Sequence, residues 1–266
     1  MDPQDWSNYS NQRKRQHLMT ADFTGRTALV TGSTSGIGRE VATQLAARGA
    51  HVIVSGRDTE RGEATVAAIR ADGGKADFVQ ADLTDPASVT HLAARAVELG
   101  GQVDVLVNNA GLFPIALTPE VSASEFETVY AVNVRAPFFL VAALAPAMVE
   151  RGYGAIVNVT TMVATFGMAG MAVYGSSKAA LQLLTKTWAA EFGAAGVRVN
   201  AVSPGPTRTE GTAVLGDNLD GFALTTPLSR VGRPEEVAAG IVWLASDAAS
   251  LVHGAILPVD GGRLAV

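Results

Sequence analysis

Tyr174 and Lys178 lie four residues apart in the segment YGSSK, downstream of a strand-like run that ends in Thr160 and Thr161. On a helix, positions i and i+4 share a face, so the Lys178 ammonium would lie against the Tyr174 phenol or beside a ligand that the phenol touches. A free tyrosine has a pKa of about 10 and is a poor acid or base near neutrality. A fixed positive charge beside it favours the phenolate and brings the group towards working range. An exposed polar helix face would carry the same two residues, so the pair gains meaning from the elements that position it.

Upstream, RTALVTGSTSGIGREVATQLAARGAHVIV reads as a buried strand (Thr27 to Val30), a turn of glycines and hydroxyl residues, an amphipathic helix and a second strand (His51 to Val54). This is a βαβ unit of about 30 residues, the context in which a glycine fingerprint carries information. Gly32 permits the tight turn out of the strand, Gly36 would let backbone approach a pyrophosphate, and Gly38 would let the helix pack closely on the sheet. Backbone N–H groups around Ile37, at the helix start, would hold phosphates, and Thr34 and Ser35 complete the turn.

The spacing Gly-x-x-x-Gly-x-Gly differs in both gaps from the usual dinucleotide pattern. TGSTSGIG, NNAG (Asn108 to Gly111), Asn133, YGSSK and PGPTRT, in this order, resemble the short-chain dehydrogenase/reductase family. The resemblance runs from Phe23 to the terminus and includes VNAVSPG (Val199 to Gly205), RVGRPEEVA (Arg230 to Ala238) and VDGG (Val259 to Gly262).

Length and composition suit an α/β single domain, a Rossmann-like doubly wound parallel sheet of about seven strands with helices on both faces. The apolar runs Ala28 to Val30, His51 to Val54, Ala76 to Val79, Val103 to Val107, Ala155 to Val159, Val197 to Ala201 and Ile256 to Val259 alternate with helical stretches. With 266 residues, 48% of them hydrophobic, a large core is available. A net charge of −5 without a basic stripe argues against nucleic acid as a partner. Zero cysteines exclude disulfides, thiolate catalysis and cysteine metal sites, and the four histidines are scattered without ligand spacing, so no metal is expected. His51 and His253 read as ordinary strand or loop residues. The most apolar stretch, PFFLVAALAPAM, is short and carries Pro137 and Pro146, so no membrane span is expected and the protein should be soluble and cytoplasmic. Residues 1–22 are polar, with Arg13, Lys14 and Arg15, and read as a disordered arm. Either Met19 is the natural start or the arm packs on a partner subunit.

At the end of the second strand an acid would bond the adenosine ribose and repel a 2′-phosphate. Gly56 stands there, followed by Arg57, whose guanidinium could fork onto that phosphate, so NADP(H) is the expected cofactor, with NAD(H) the lesser option. Arg57 pointing into solvent is the competing reading, and Ser35 stands where NADP-dependent relatives often carry a second basic residue.

The resemblance implies the remaining roles. Asp82 and Leu83 would hold the adenine, and Asn109, Ala110 and Gly111 would lie along the adenosine ribose, although NNAG could also brace the central sheet. Pro204, Gly205, Thr207 and Thr209 would grip the nicotinamide carboxamide and diphosphate. Tyr174 would exchange a proton with the substrate oxygen, Lys178 would lower the phenol's pKa and bind the nicotinamide ribose, and Asn133 would anchor a water leading from Lys178 to solvent. The family usually has serine thirteen residues before the tyrosine, where Thr161 stands; its hydroxyl is kept, with an added methyl. Thr160 or Thr165 are alternative sources of that hydroxyl. The segment from Glu210 to Leu228 falls at a mobile lid, set within residues 206–228, and Phe113, Pro114, Met162, Phe166, Met168 and Met171 would form a largely apolar pocket mouth. A small ketone or secondary alcohol is the favoured substrate class. A ketoacyl thioester on an acyl carrier protein would want a basic docking patch beside the cleft, for which Arg151 is available while Ala195 and Gly196 are not basic. The family also implies a homotetramer with the terminal VDGGRLAV at a subunit contact. The rival reading is a non-catalytic dinucleotide-binding regulator of the same fold.

Overall fold

Short runs of β-branched and aliphatic residues, each closed by a polar or glycine turn, form the strands of one parallel sheet. The computed structural model describes residues 22–266; the arm, apart from Asp22, and the Met19 start lie outside the described residues. The strands are β1 (Thr27–Thr31), β2 (His51–Gly56), β3 (Lys75–Gln80), β4 (Val105–Asn108), β5 (Gly154–Val159), β6 (Val197–Pro204) and β7 (Ile256–Val259). Their spatial order is β3-β2-β1-β4-β5-β6-β7, and every neighbouring pair is parallel.

Side chains alternate across the sheet, so each strand feeds two cores. Ala28 and Val30 face the core shared with helices α1 (Gly36–Ala46), α2 (Thr59–Ala71) and α7 (Pro234–Ala245). Leu29 faces the other, shared with α3 (Pro86–Gly100), α5 (Ala136–Arg151) and α6 (Ala172–Phe192). Each fully buried Leu, Ile or Val on these faces contributes roughly 1.5–3 kcal/mol of transfer free energy. Helix starts are fixed locally: the Asp58 carboxylate accepts from Arg61 N at 3.0 Å ahead of α2, and Asp85 accepts from Ala87 N at 3.0 Å ahead of α3, whose first residue is Pro86.

The run PFFLVAALAPAM is not the isolated short stretch that its prolines suggest. Helix α4 (Ala123–Tyr130) passes through one π-helical turn (Ala131–Arg135) into α5, giving a continuous 29-residue helical rod whose most apolar window has a mean hydropathy of 1.6. By length and composition this rod could cross a bilayer, but half of that window is buried inside the domain, where Leu140, Val141, Leu144 and Met148 pack on the sheet and α3. His51 and His253 have structural partners: His51 Nε2 meets Asp77 at 2.7 Å, and His253 receives Val199 N–H and faces the Ala189 carbonyl.

Strand order reverses between β1 and β4, whose onward connections leave to opposite sides and open a crevice at the carboxyl ends of the strands. The segments predicted to do chemistry all leave these ends.

Candidate active site

The turn after β1 is built for close approach. Gly32 and Gly36 have φ of +63° and +51°, the left-handed region open to glycine at no steric cost. A Cβ on Gly38 would collide with the Gly32 carbonyl and the Asn109 side chain, so the helix lies directly on the turn. Asn109 braces this turn from below: its Nδ2 donates to the carbonyls of Thr31 (2.9 Å) and Gly32 (3.1 Å). Thr31 Oγ1 in turn accepts from Asn109 N and Ala110 N, both at 3.1 Å. The bracing role expected for NNAG is therefore present, and Ala110 and Gly111 also face the crevice.

A cavity of about 300 Å³ runs along this turn, lined by Gly32, Thr34, Ser35, Gly36, Ile37 and Gly38 on one side and by Arg57, Leu83, Asn109, Ala110, Gly111 and Thr209 on the others. Arg57 is exposed at its rim. Asp82 is not on its wall; the carboxylate turns to Thr84, accepting from N at 2.9 Å and from Oγ1 at 2.8 Å. These bonds, with a smaller pull from Arg57, hold the Asp82 carboxyl below the usual carboxylate range. Of the pair expected around adenine, Leu83 lines this cavity and Asp82 does not.

A second cavity, of about 220 Å³, adjoins the first and shares Ile37, Asn109, Gly111, Phe113 and Thr209 with it. Thr161, Tyr174 and Lys178 stand on its wall. Thr160 and Thr161 follow the last residue of β5, where pleat alternation sends neighbours opposite ways. Thr160 also lines the cavity, but its Oγ1 donates to the Val202 carbonyl on β6 at 3.0 Å, and Thr165 is exposed off the cavity. The Thr161 hydroxyl is near enough to the Tyr174 phenol to pull its pKa down against burial.

Lys178 is buried at 3% exposure, and its Nζ donates to the Val159 carbonyl at 2.8 Å. Burial pushes its pKa down to about 8. For Tyr174 burial pushes the phenol up, and the Thr161 hydroxyl pulls the other way without reversing it. The net displacement of the phenol is upward, because desolvation outweighs the pull from Thr161.

Asn133 sits in the π-helical turn, fully buried. Its Oδ1 accepts from Leu112 N at 2.8 Å, and its Nδ2 donates to Leu112 O at 2.8 Å and Ser177 Oγ at 2.9 Å. Ser177 Oγ donates to the Tyr174 carbonyl at 2.7 Å, so Asn133 clamps the turn of α6 that carries the phenol. Both amide hydrogens are thereby used. Pro137 has no N–H, so the Asn133 main-chain carbonyl lacks an i+4 donor. Sequence reasoning missed Ser177, although it lies within YGSSK; a hydroxyl three residues after the tyrosine on the same helix was the available signal.

The chain after β6 closes the far side. Pro204, Gly205, Thr207 and Thr209 all line the second cavity. Thr207 Oγ1 donates to Gly205 O at 3.0 Å, and Thr209 is knotted to Thr212 through bonds of 2.9 and 3.1 Å. Phe113, Met162, Met168 and Met171 form apolar wall as expected, and Ile115, Leu215, Leu219 and Phe222 add to it. Pro114 and Phe166 do not: Pro114 lines a neighbouring hollow, and Phe166 lies under the Arg263 guanidinium, 4.6 Å from its ring centre. Arg151 is also elsewhere. It donates to the Val103 carbonyl at 2.8 Å and lies 3.6 Å from the Asp104 carboxylate, just ahead of β4, at the amino ends of the strands and across the sheet from the cleft.

The residues present fit a dinucleotide. The Gly36 N–H, the first of α1, already takes an anion, the Glu210 carboxylate, at 3.0 Å. A Cβ at Gly111 would stand 3.2 Å from Lys178 Nζ, so that position must stay bare for anything to lie between the two cavities.

A family model described as enoyl-(acyl carrier protein) reductase matches residues 32–263. Among curated relatives, the cis-4-hydroxycyclohexanecarboxylate dehydrogenase of Sinomonas cyclohexanicum is 42% identical, with 92% of this chain and 98% of that protein covered. Among solved structures, one described as a short chain dehydrogenase/reductase family protein is 53% identical with a TM-score of 0.86, covering 92% of this chain and 100% of that one. A blue fluorescent protein from a metagenomic library, solved in complex with NADPH, is 35% identical with a TM-score of 0.87, covering 91% and 99%.

Proposed function

This chain belongs to the short-chain dehydrogenase/reductase family of oxidoreductases, and from that premise we propose that it interconverts an uncharged ketone and its secondary alcohol with NADP(H), using Tyr174 as the acid/base. The observation that carries the reading is the convergence of Thr161, Tyr174 and Lys178 on one wall of a cavity that opens into the glycine-turn crevice.

The nicotinamide cofactor supplies the hydride to the carbonyl carbon, or takes it back from the alcohol. The glycine turn, Leu83, Ala110 and Gly111 would hold the adenosine half, and Thr207 and Thr209 the nicotinamide half. Arg57 at the rim supports a 2′-phosphate, as does the NADPH complex of the metagenomic relative. The raised phenol keeps its proton at neutral pH, which suits donation to a carbonyl oxygen. Thr161 donates to the same oxygen. Lys178, poised at about 8, can return a proton to the phenol, with the Asn133 carbonyl as the acceptor for a connecting water.

Substrate class follows from the wall. Phe113, Ile115, Met168, Met171, Leu215 and Phe222 present apolar surface, and Lys178 is the sole charged residue among the described residues lining this cavity. A carboxylate or phosphate on the substrate would lose its water and find no cation beyond Lys178, whose Nζ already donates to the Val159 carbonyl. The position of Arg151 removes the one basic residue named for carrier-protein docking and favours the free small ketone over the thioester. Exposed Phe126, Phe138, Phe139 and Leu183 on α4, α5 and α6 support self-association, in keeping with a tetramer.

The test is a panel of cyclic and aromatic ketones and secondary alcohols followed by NADPH absorbance, with charged analogues alongside. Turnover of the uncharged members is expected. Cofactor binding without turnover across the panel would replace this reading by that of a regulatory dinucleotide-binding protein.

A further inference from the structure

Glu210 is 174 residues from Gly36 in sequence, yet its Oε2 accepts the Gly36 N–H at 3.0 Å and its Oε1 pairs with Arg39 Nη2 at 2.7 Å. The carboxylate thus joins two positive features of α1: the unpaired N–H at its first residue and the guanidinium one turn on. Thr209 comes with it; a Cβ on Gly36 would stand 3.1 Å from Thr209 Cβ, so segment 206–228 is pressed on the turn where backbone is most approachable. The same turn lines the crevice, together with Thr209 and Gly211 on either side of Glu210. Burial opposes the charge of Glu210, but its own N–H, Arg39 and Gly36 outweigh it and hold the carboxyl below its usual range, so the group is anionic at neutral pH.

A carboxylate and a diphosphate ask the same thing of this corner: N–H donors at a helix start and a cation. Both cannot have it, since two anions sharing one N–H and one guanidinium repel each other at close range. We propose that Glu210 is a built-in competitor for the diphosphate subsite, so that cofactor entry expels its carboxylate, passes Arg39 to the diphosphate, and frees segment 206–228 from α1. The proposal rests on the dinucleotide reading of the crevice. It makes Glu210 a determinant of cofactor affinity and couples the segment over the substrate cavity to cofactor occupancy, with no contact between substrate and cofactor required.

Calorimetric titration of the full chain with NADP⁺ and, separately, with inorganic pyrophosphate tests it, for the wild type, Glu210→Gln and Arg39→Ala. Glu210 is about half exposed, at 47% of its side chain, and glutamine keeps its size, so folding is not at stake. Glu210→Gln is expected to bind both ligands roughly fivefold to twentyfold more tightly, since the fraction of competent sites rises. Arg39→Ala is expected to bind pyrophosphate more weakly. Hydrogen exchange over 206–228 should rise on adding NADP⁺ to the wild type and be raised already in unliganded Glu210→Gln. NADP⁺ binding that is equal or weaker in Glu210→Gln overturns the competition while leaving the dinucleotide reading in place. Failure of both ligands to bind wild type and variant overturns the two together.

Discussion

The Nζ of Lys178 donates to the main-chain carbonyl of Val159 at 2.8 Å, tying the helix that carries the tyrosine to the last residue of the strand that leads into Thr160 and Thr161. This bond fixes the mutual position of the three candidate catalytic groups before any ligand arrives. It also holds an ammonium where water does not reach, and the energetic consequence can be measured.

The pKa of Lys178 falls from 10.5 to about 8 on folding, so between those values the unfolded chain binds more protons than the folded one. Its contribution to stability is present above about 10.5 and lost as pH falls through about 8. Lys178→Met is expected to gain about 1–3 kcal/mol at pH 7 and to lose this pH slope, while turnover disappears. Urea denaturation of both proteins at pH 7 and pH 10 measures it; a lower midpoint for Lys178→Met than for wild type at pH 7 would mean that the Val159 bond outweighs the buried charge.

Tyr174→Phe removes the phenolic hydroxyl and keeps the ring that sits 6.1 Å from Phe113. We expect kcat to fall by about 10²–10⁴ with NADPH affinity within roughly threefold of wild type. Comparable turnover by the variant would remove the phenol from the chemistry.

The Thr161 hydroxyl partly offsets burial of the phenol. Thr161→Ala should lower kcat by roughly tenfold to a hundredfold and shift upward the limb of the rate profile set by the phenol, basic for ketone reduction and acid for alcohol oxidation, and Thr161→Ser should restore both. If alanine loses no more than a few-fold in turnover, Thr161 does not polarise the substrate.

Asn133→Ala deletes three hydrogen bonds, two part-buried ones to Leu112 and a buried one to Ser177. A loss of about 2–4 kcal/mol is expected from the orphaned partners. Thermal unfolding reads it; an unchanged midpoint would show that Leu112 and Ser177 find other partners.

Arg57→Asp should weaken NADPH binding by roughly tenfold or more and leave NADH binding equal or better, because a rim carboxylate repels a 2′-phosphate. Dissociation constants for the two cofactors settle it. Equal losses for both would assign Arg57 a structural role.

The fold was legible because its signals are local. Seven apolar runs name seven strands, and the observed limits differ by only a few residues, as at β4, which begins at Val105 rather than Val103. TGSTSGIG and YGSSK are readable for the same reason: a turn needing left-handed glycines and a helical i, i+4 pair are settled within a few residues of chain. Even Thr161 was placed by counting along the chain.

What the tertiary structure decided depends on segments far apart. Thr160 stands as an alternative hydroxyl in sequence until β6 engages it: it lines the cavity beside Thr161, but its Oγ1 donates to the Val202 carbonyl. Arg151 looks available until the sheet puts it at the wrong end of the strands. The direction of the phenol's pKa is a contest between desolvation and the pull from Thr161, which spacing alone cannot weigh, and the seat of Glu210 on Gly36 joins residues 174 positions apart. Periodicity fixes which way a residue points along its own element; burial and competition for a shared donor exist only once the elements are packed.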